Sequence, residues 1–197
     1  NFDPDPLTTR QIVDFKEPIA PGSILIRTDE RRLYFVLPDE KAIMYPVGVG
    51  REGFTWSGED VITKKAEWPD WHPPQEMVER EAEKGKILPV FMAGGPDNPL
   101  GARALYIGDT QYRIHGTTQP WSIGRAVSSG CIRMMNEEVI DLFERVEVGA
   151  AVIVEGDGPA GHHWHRAEHR HRGEAGGEDH GHRGRKESSC QAHCMFT

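Results

Sequence analysis

The chain has 197 residues and a formal net charge of −8, with 23 Lys/Arg against 31 Asp/Glu. That length suits one domain with a real core plus a tail, and the acidic balance argues against nucleic acid as a partner, because phosphate binding needs a basic face. No run of 18 or more apolar residues occurs, so no membrane span is expected. The start at Asn1, without Met and without a basic-then-apolar leader, reads as a processed or trimmed chain.

Residues 1–20 are polar and proline-broken and are expected to form an arm laid across the domain. Ile24-Leu25-Ile26-Arg27 and Arg32-Leu33-Tyr34-Phe35-Val36-Leu37 flank Asp29-Glu30-Arg31, the pattern of a hairpin with a short turn. Ala42 to Gly50 reads as a third strand ended by glycines, and Val61 to Ala66 as a fourth. Trp68-Pro69-Asp70-Trp71-His72-Pro73-Pro74 breaks the sheet, and Gln75 to Lys84 follows as a helix with the Pro pair at its start. A glycine-rich connection, Ala93 to Gly101, leads to strands Ala104–Ile107 and Tyr112–His115. Asn136 is a good N-cap type, with Glu137 and Glu138 at the positive end of a helix running to about Arg145. Val139, Ile140, Phe143 and Val146 make the apolar stripe of that helix, and Ala151–Val154 is the last strand. Many short strands with few helices predict a mostly β domain over residues 21–155.

Composition changes near residue 156. Residues 156–197 hold eight of the ten histidines, eight glycines, Cys190 and Cys194, but almost no aliphatic residue. Their charges cancel, so residues 1–155 carry the whole imbalance, 17 Lys/Arg against 25 Asp/Glu. A segment this poor in apolar side chains cannot offset the entropy of ordering itself, which predicts a disordered tail. Cys190-Gln191-Ala192-His193-Cys194 and its histidines could ligate zinc or copper, or the two cysteines could pair in an oxidising compartment and leave Cys131 free. A structural metal site needs four well-placed ligands, and histidines repeated in a flexible tail are just as often adventitious binders. No metal is therefore assigned.

Cys131 carries most of the chemical information. It is the only cysteine before residue 190 and follows Ser128-Ser129-Gly130, sixteen residues after His115. A thiol becomes a useful nucleophile once something removes its proton, and a nearby histidine can do that. Gly130 lets a carbonyl approach the backbone and frees the surrounding N–H groups to face an oxyanion. A lone cysteine is otherwise a common core filler. The reading that this stretch suggests is acyl transfer through a thioester.

The segment from His115-Gly116 through Trp121 to Ser128-Ser129-Gly130-Cys131-Ile132-Arg133 resembles the active-site signature of the L,D-transpeptidase (YkuD) family of bacterial cell-wall enzymes. Ser129 stands where many members have histidine, a change that keeps a small hydroxyl side chain but removes a group able to titrate near neutral pH. The resemblance implies a mixed β-sandwich or barrel with one helix packed after the cysteine. It implies Cys131 as nucleophile, His115 as base or as the imidazolium half of an ion pair, and the Gly116 carbonyl as the group orienting the ring. The oxyanion donors would be the N–H groups of Cys131 and Gly130, with Ser129. Arg133 would bind a substrate carboxylate or pair internally, and Tyr112 and Trp121 would contribute to substrate binding. Trp56, Trp68 and Trp71 are further candidates for a cleft wall, although ordinary packing is the commoner role of any single tryptophan. Lys64 and His72 have no spacing that compels a role.

The same resemblance implies a reaction outside the cytoplasmic membrane, with the enzyme exported to the periplasm or the wall and serving wall biogenesis and cell shape. Cys131 would take the acyl group of a peptidoglycan stem peptide and pass it to a neighbouring stem, giving a 3→3 cross-link, with no cofactor. Carbapenem-type β-lactams would acylate the same sulfur. Water as acceptor would give an L,D-carboxypeptidase, a protein amine would attach a protein to the wall, and a non-catalytic peptidoglycan- or metal-binding module is the alternative of another class.

Overall fold

The computed structural model describes residues 9–52, 54–73 and 75–156. The arm contributes a strand that its polar composition did not announce. β1 (Gln11–Asp14) pairs antiparallel with β4 (Lys41–Pro46), Gln11 beside Met44 and Asp14 beside Lys41. The expected hairpin forms from β2 (Ile24–Arg27) and β3 (Arg32–Leu37), antiparallel, with Ile24 beside Phe35. The single strand expected over 42–50 is two. Pro46 has no N–H to continue the ladder, and Val47 and Gly48 leave it to bond Arg31 and Arg133 before β5 (Val49–Gly50) begins.

β6 (Gly58–Glu67) is longer than expected. After it come helix α1 (Gln75–Glu83) and strands β7 (Arg103–Ile107) and β8 (Arg113–His115). Two short strands missed in the sequence, β9 (Ala126–Ser128) and β10 (Ile132–Arg133), bracket the Ser-Ser-Gly-Cys stretch. Strands of two or three residues carry no periodicity that a sequence could reveal. Helix α2 (Asn136–Arg145) and strand β11 (Ala151–Glu155) complete the chain.

Nine strands make one mixed sheet in the order β1-β4-β3-β2-β11-β6-β7-β8-β10, and β5 pairs with β9 beside it. The β11–β2 and β10–β8 pairs are parallel, and the remaining pairs of the large sheet are antiparallel. The sheet curls around a core in which Ile24, Ile26, Leu33, Tyr45, Ile107 and Ile114 are buried, and α2 closes it with Val139, Leu142 and Val146. Leu142 takes the place in the helix stripe expected of Ile140, which is only half-buried. The mostly β architecture with a helix packed after the cysteine is thus as expected.

One capping expectation is corrected. Met135 is the N-cap of α2, and no side chain caps the helix. Asn136 is its first residue, and the Asn136 Oδ1 accepts a hydrogen bond from the Ala102 N–H (3.0 Å) instead. That bond ties the start of α2 to the segment entering β7.

Candidate active site

The site follows from the alternation of two short strands. Ile114 of β8 and Ile132 of β10 point into the main core. The strands run parallel with Ile132 beside Ile114 and Arg133 beside His115. Side chains alternate across a strand, so Arg113, His115, Cys131 and Arg133 project from the opposite face. One residue before the first paired position, the same register sets Cys131 level with Arg113. Cys131 and His115 therefore share a face and lie on adjacent strands.

The turn before Cys131 needs its glycine. Gly130 has φ of +118°, and a Cβ there would stand 2.4 Å from Cε1 of Tyr112. Ser128 Oγ donates to the Cys131 carbonyl (2.6 Å) and accepts from the Gly130 N–H (3.2 Å). The N–H of Gly130, expected to face an oxyanion, thus has an internal acceptor. Ser129 is buried beside it.

Cys131 itself is fully buried. Trp71, Met77, Leu88 and Leu100 close over it, with Met92 against them. All five come from the excursion between β6 and β7. Asn98 holds that excursion together: its Nδ2 donates to the carbonyls of Pro69 (3.1 Å), Met92 (3.2 Å) and Ala93 (3.1 Å), and its Oδ1 accepts from the Leu100 N–H (2.9 Å). The structure carries Cys131 as half of a disulfide, so the expectation of a free sulfur is not met there. Three cysteines allow three pairings, and sequence does not choose among them; Cys190, Cys194 and the histidine-rich stretch lie outside the described residues. Thiol chemistry concerns the reduced form of Cys131.

His115 is 1 % exposed. Its Nδ1–H donates to the Gly116 carbonyl (2.5 Å), which leaves Nε2 as the basic nitrogen, without a hydrogen-bond partner among the described residues. Burial pushes the ring's pKa down to about 3, the charges of Arg133 and Arg113 add to this, and the backbone groups of Gly116 and Leu100 oppose it. A neutral ring is the form a base needs.

Arg133 is 2 % exposed, and its Nη1 donates to Gln119 Oε1 (3.0 Å). Of the two duties weighed for it, the internal one is what the geometry displays: it holds the loop after His115. Tyr112 stacks on Trp56 with ring centroids 4.9 Å apart and presses on Gly130. Trp121 lies on a 3-10 turn, Pro120–Ser122, and is 49 % exposed.

Residues 21–154 match the YkuD family profile, an L,D-transpeptidase catalytic domain. The chain belongs to that L,D-transpeptidase family. It is 38 % identical over 151 residues to "Probable L,D-transpeptidase ErfK/SrfK" of Escherichia coli K12, covering 75 % of this chain and 48 % of the relative. It is 39 % identical over 134 residues to "Probable L,D-transpeptidase YbiS" of the same strain, covering 66 % and 43 %. The chain spans about half the length of these relatives. In three dimensions it resembles an L,D-transpeptidase from Mycobacterium smegmatis (TM-score 0.53, 17 % identity, 68 % of this chain and 58 % of that one). It likewise resembles the Ldtfm protein solved as an avibactam carbamoyl enzyme (TM-score 0.54, 19 % identity, 71 % and 50 %). These structures support the fold.

Within this L,D-transpeptidase domain Trp71, one of the tryptophans considered for a cleft wall, packs in one cluster with Cys131. The bracing of the surrounding segments by Asn98 and by Asn136 was not anticipated. On the same sheet face as Cys131 a cavity of about 690 Å³ is lined by Lys64, Trp68, Asp70, His72, Tyr106 and Arg113, among others. Arg113 had a usable signal: it stands two residues before His115 on a strand and must share its face. Among the described residues, no group of three His, Cys, Asp or Glu could hold a metal ion. No helix there is long and apolar enough to cross a membrane.

Proposed function

We propose that the domain is a peptidoglycan L,D-transpeptidase that works through a thioester on Cys131. The observation that carries this reading is the shared sheet face of Cys131 and His115, with Nε2 of a buried, neutral ring left basic by the Nδ1–H bond to Gly116. His115 takes the proton of the reduced Cys131 thiol, and the sulfur attacks the carbonyl of the third residue of a stem tetrapeptide. Collapse of the tetrahedral adduct breaks the peptide bond, and His115 returns the proton to the departing D-alanine amine. The side-chain amine of a diamino acid on a neighbouring stem then attacks the thioester, forms the 3→3 amide and regenerates the thiol. In this reading the N–H groups of Cys131, Gly130 and Ser129 receive the oxyanion, and Gly130 exchanges its Ser128 acceptor for it. Removing one such donor costs on the order of 3 kcal/mol of transition-state stabilisation.

Neither step calls for a cofactor, and the substrate places the enzyme outside the cytoplasmic membrane. Arg133 and Tyr112 shape the loop walls, and Trp121 offers an open aromatic face for the stem. β-Lactams acylate the same sulfur; a relative of this fold, LdtMt1, has been solved in complex with imipenem (TM-score 0.50, 15 % identity).

The test is intact-mass spectrometry of the reduced full chain incubated with meropenem, beside Cys131→Ala. One drug equivalent on the wild type and none on the variant is the expected result. A folded, reduced wild type that takes no adduct would sink the proposal in favour of a non-catalytic module. Muropeptide products then separate the acceptors: a cross-linked dimer for a stem amine, a tripeptide for water.

A further inference from the structure

On the face that carries Cys131, one row of residues crosses three strands. Lys64 of β6 pairs with Tyr106 of β7, and Tyr106 pairs with Arg113 of β8. The two cations flank one ring: Lys64 Nζ lies 5.1 Å and the Arg113 guanidinium 5.4 Å from the Tyr106 centroid. Continued by one strand, the row arrives at Cys131, and the next row along holds His115 and Arg133.

These two cations differ in their partners from the other cations of these strands. Lys65 Nζ donates to the Val146 carbonyl, Arg103 to Ala102 and Glu67, and Arg133 to Gln119. Among the described residues neither Lys64 nor Arg113 has a hydrogen bond or a carboxylate within ion-pair distance. The two acids lining the same cavity are engaged elsewhere, Glu67 with Arg103 (3.4 Å) and Asp70 with the Gly94 N–H (2.9 Å). Arg113 is only partly exposed, and burial lowers its pKa, opposed by the Tyr106 oxygen alone. A charge taken out of water without an anion is costly, so such a guanidinium in a cavity wall is an anion site.

We propose that Arg113, with Lys64 across the Tyr106 ring, binds a carboxylate of the acyl-donor peptide. The planar fork of arginine matches a carboxylate with two parallel hydrogen bonds, and the lysine supplies a second charge. Arg113 stands level with Cys131 across one strand spacing of about 4.8 Å and two residues from His115 on its own strand, so an anion on Arg113 lies beside the carbonyl presented to Cys131. The proposal rests on the transpeptidase reading and adds the donor's charge to it. A stem tetrapeptide of L-alanine, γ-linked D-glutamate, diaminopimelate and D-alanine offers three such carboxylates: at its C-terminus, on the side chain of its diamino acid and on the α-carbon of its γ-linked glutamate.

Four donors distinguish them: the free acid, its C-terminal amide, the amide of its diamino-acid side chain and the α-amide of its γ-linked glutamate, each assayed for kcat and KM with the reduced wild type, Arg113→Gln, Arg113→Lys and Lys64→Gln. The expected result is that one amidation costs the wild type about 10- to 100-fold in kcat/KM, mostly through KM, as for a lost charged hydrogen bond. Arg113→Gln should show the same loss on the free acid and almost none on amidation. Arg113→Lys should recover part of the preference, and Lys64→Gln should lower it by less. The amide that mimics Arg113→Gln names the carboxylate. Two results overturn the subsite: a wild type indifferent to all three amidations, or an Arg113→Gln variant slowed by one factor on all four donors. The second would assign Arg113 to the Cys131–His115 pair or to folding. A wild type that turns over no donor and takes no meropenem is the failure of the transpeptidase reading, and the subsite falls with it.

Discussion

The curled sheet has two outer patches, each covered by an excursion of the chain, and the covers differ in kind. Over the β2–β4 half lies the N-terminal arm: Phe15 with Val13 and Ile19 packs on Leu25, Val36 and Ala42. β1 adds ladder bonds at the edge, and Arg27 is matched to Glu17, Glu30 and Glu155. There the apolar surface is filled and the charges are paired. Over the β7–β10 half lies the 68–102 excursion, which closes on Cys131 yet leaves a cavity, a buried basic nitrogen and two cations without anions among the described residues. It also exposes Ile87, Val90 and Phe91, large apolar side chains whose one counterpart among the arm's described residues is Ile12. Equal burial therefore does not mean equal function; what marks the second cover is unspent polar capacity beneath it.

Substitution of the basic nitrogen should give the largest difference between the halves. His115→Gln keeps a polar side chain of similar reach but supplies no base, and it should slow meropenem acylation by about 10²- to 10⁴-fold, the usual worth of a positioned general base. Stopped-flow or quenched intact-mass time courses measure this. A loss below tenfold would mean that the Cys131 thiol ionises without His115.

The opposite pattern is expected beneath the arm. Phe15→Ala removes a ring that is 6 % exposed, which should cost about 3–5 kcal/mol of stability by cavity formation. The acylation rate per folded molecule should stay within about twofold, because the arm's cluster shares no residue with the one around Cys131. Urea unfolding and the same acylation assay check the two halves of that statement. A rate that falls along with stability would show that the two covers are coupled through the sheet.

The sequence reveals the two covers unequally. The β2–β3 hairpin, α1, α2, β7 and β11 were legible because aliphatic periodicity and turn residues agree there. Cys131, His115 and the Gly116 carbonyl stood out because a short ordered motif carries them. The arm's strand was hidden because Gln11-Ile12-Val13-Asp14 lies at an edge, where one partner suffices and the side chains stay mostly exposed. Asn136 looked like a cap because its type suits one; its use on Ala102 depends on a segment 34 residues away. Arg133 could not be assigned because binding a ligand and binding Gln119 need the same residue in the same place. Lys64 gained meaning only when pairing set it across Tyr106 from Arg113.

The subtlest contrast is in acid. The arm contains no histidine, whereas the active-site half buries one whose pKa lies near 3 when folded and near 6.5 when unfolded. Between those values the unfolded state binds the extra proton, so stability rises with pH through that window. His115 thus contributes fully above about pH 6.5, and its contribution is lost progressively as pH falls toward 3. At pH 5 the loss is about 2 kcal/mol for an unfolded-state pKa 1.5 above the solution pH. Replacing the ring by Asn removes this term and leaves the other titrating groups, including Asp141, to act alike in both proteins. The wild type should therefore lose about 2 kcal/mol more than His115→Asn between pH 7.5 and 5, measured by urea midpoints on reduced protein. Parallel losses would mean that the folded ring takes a proton at pH 5, and an imidazolium paired with the Cys131 thiolate would then replace the neutral base as the resting state of the site.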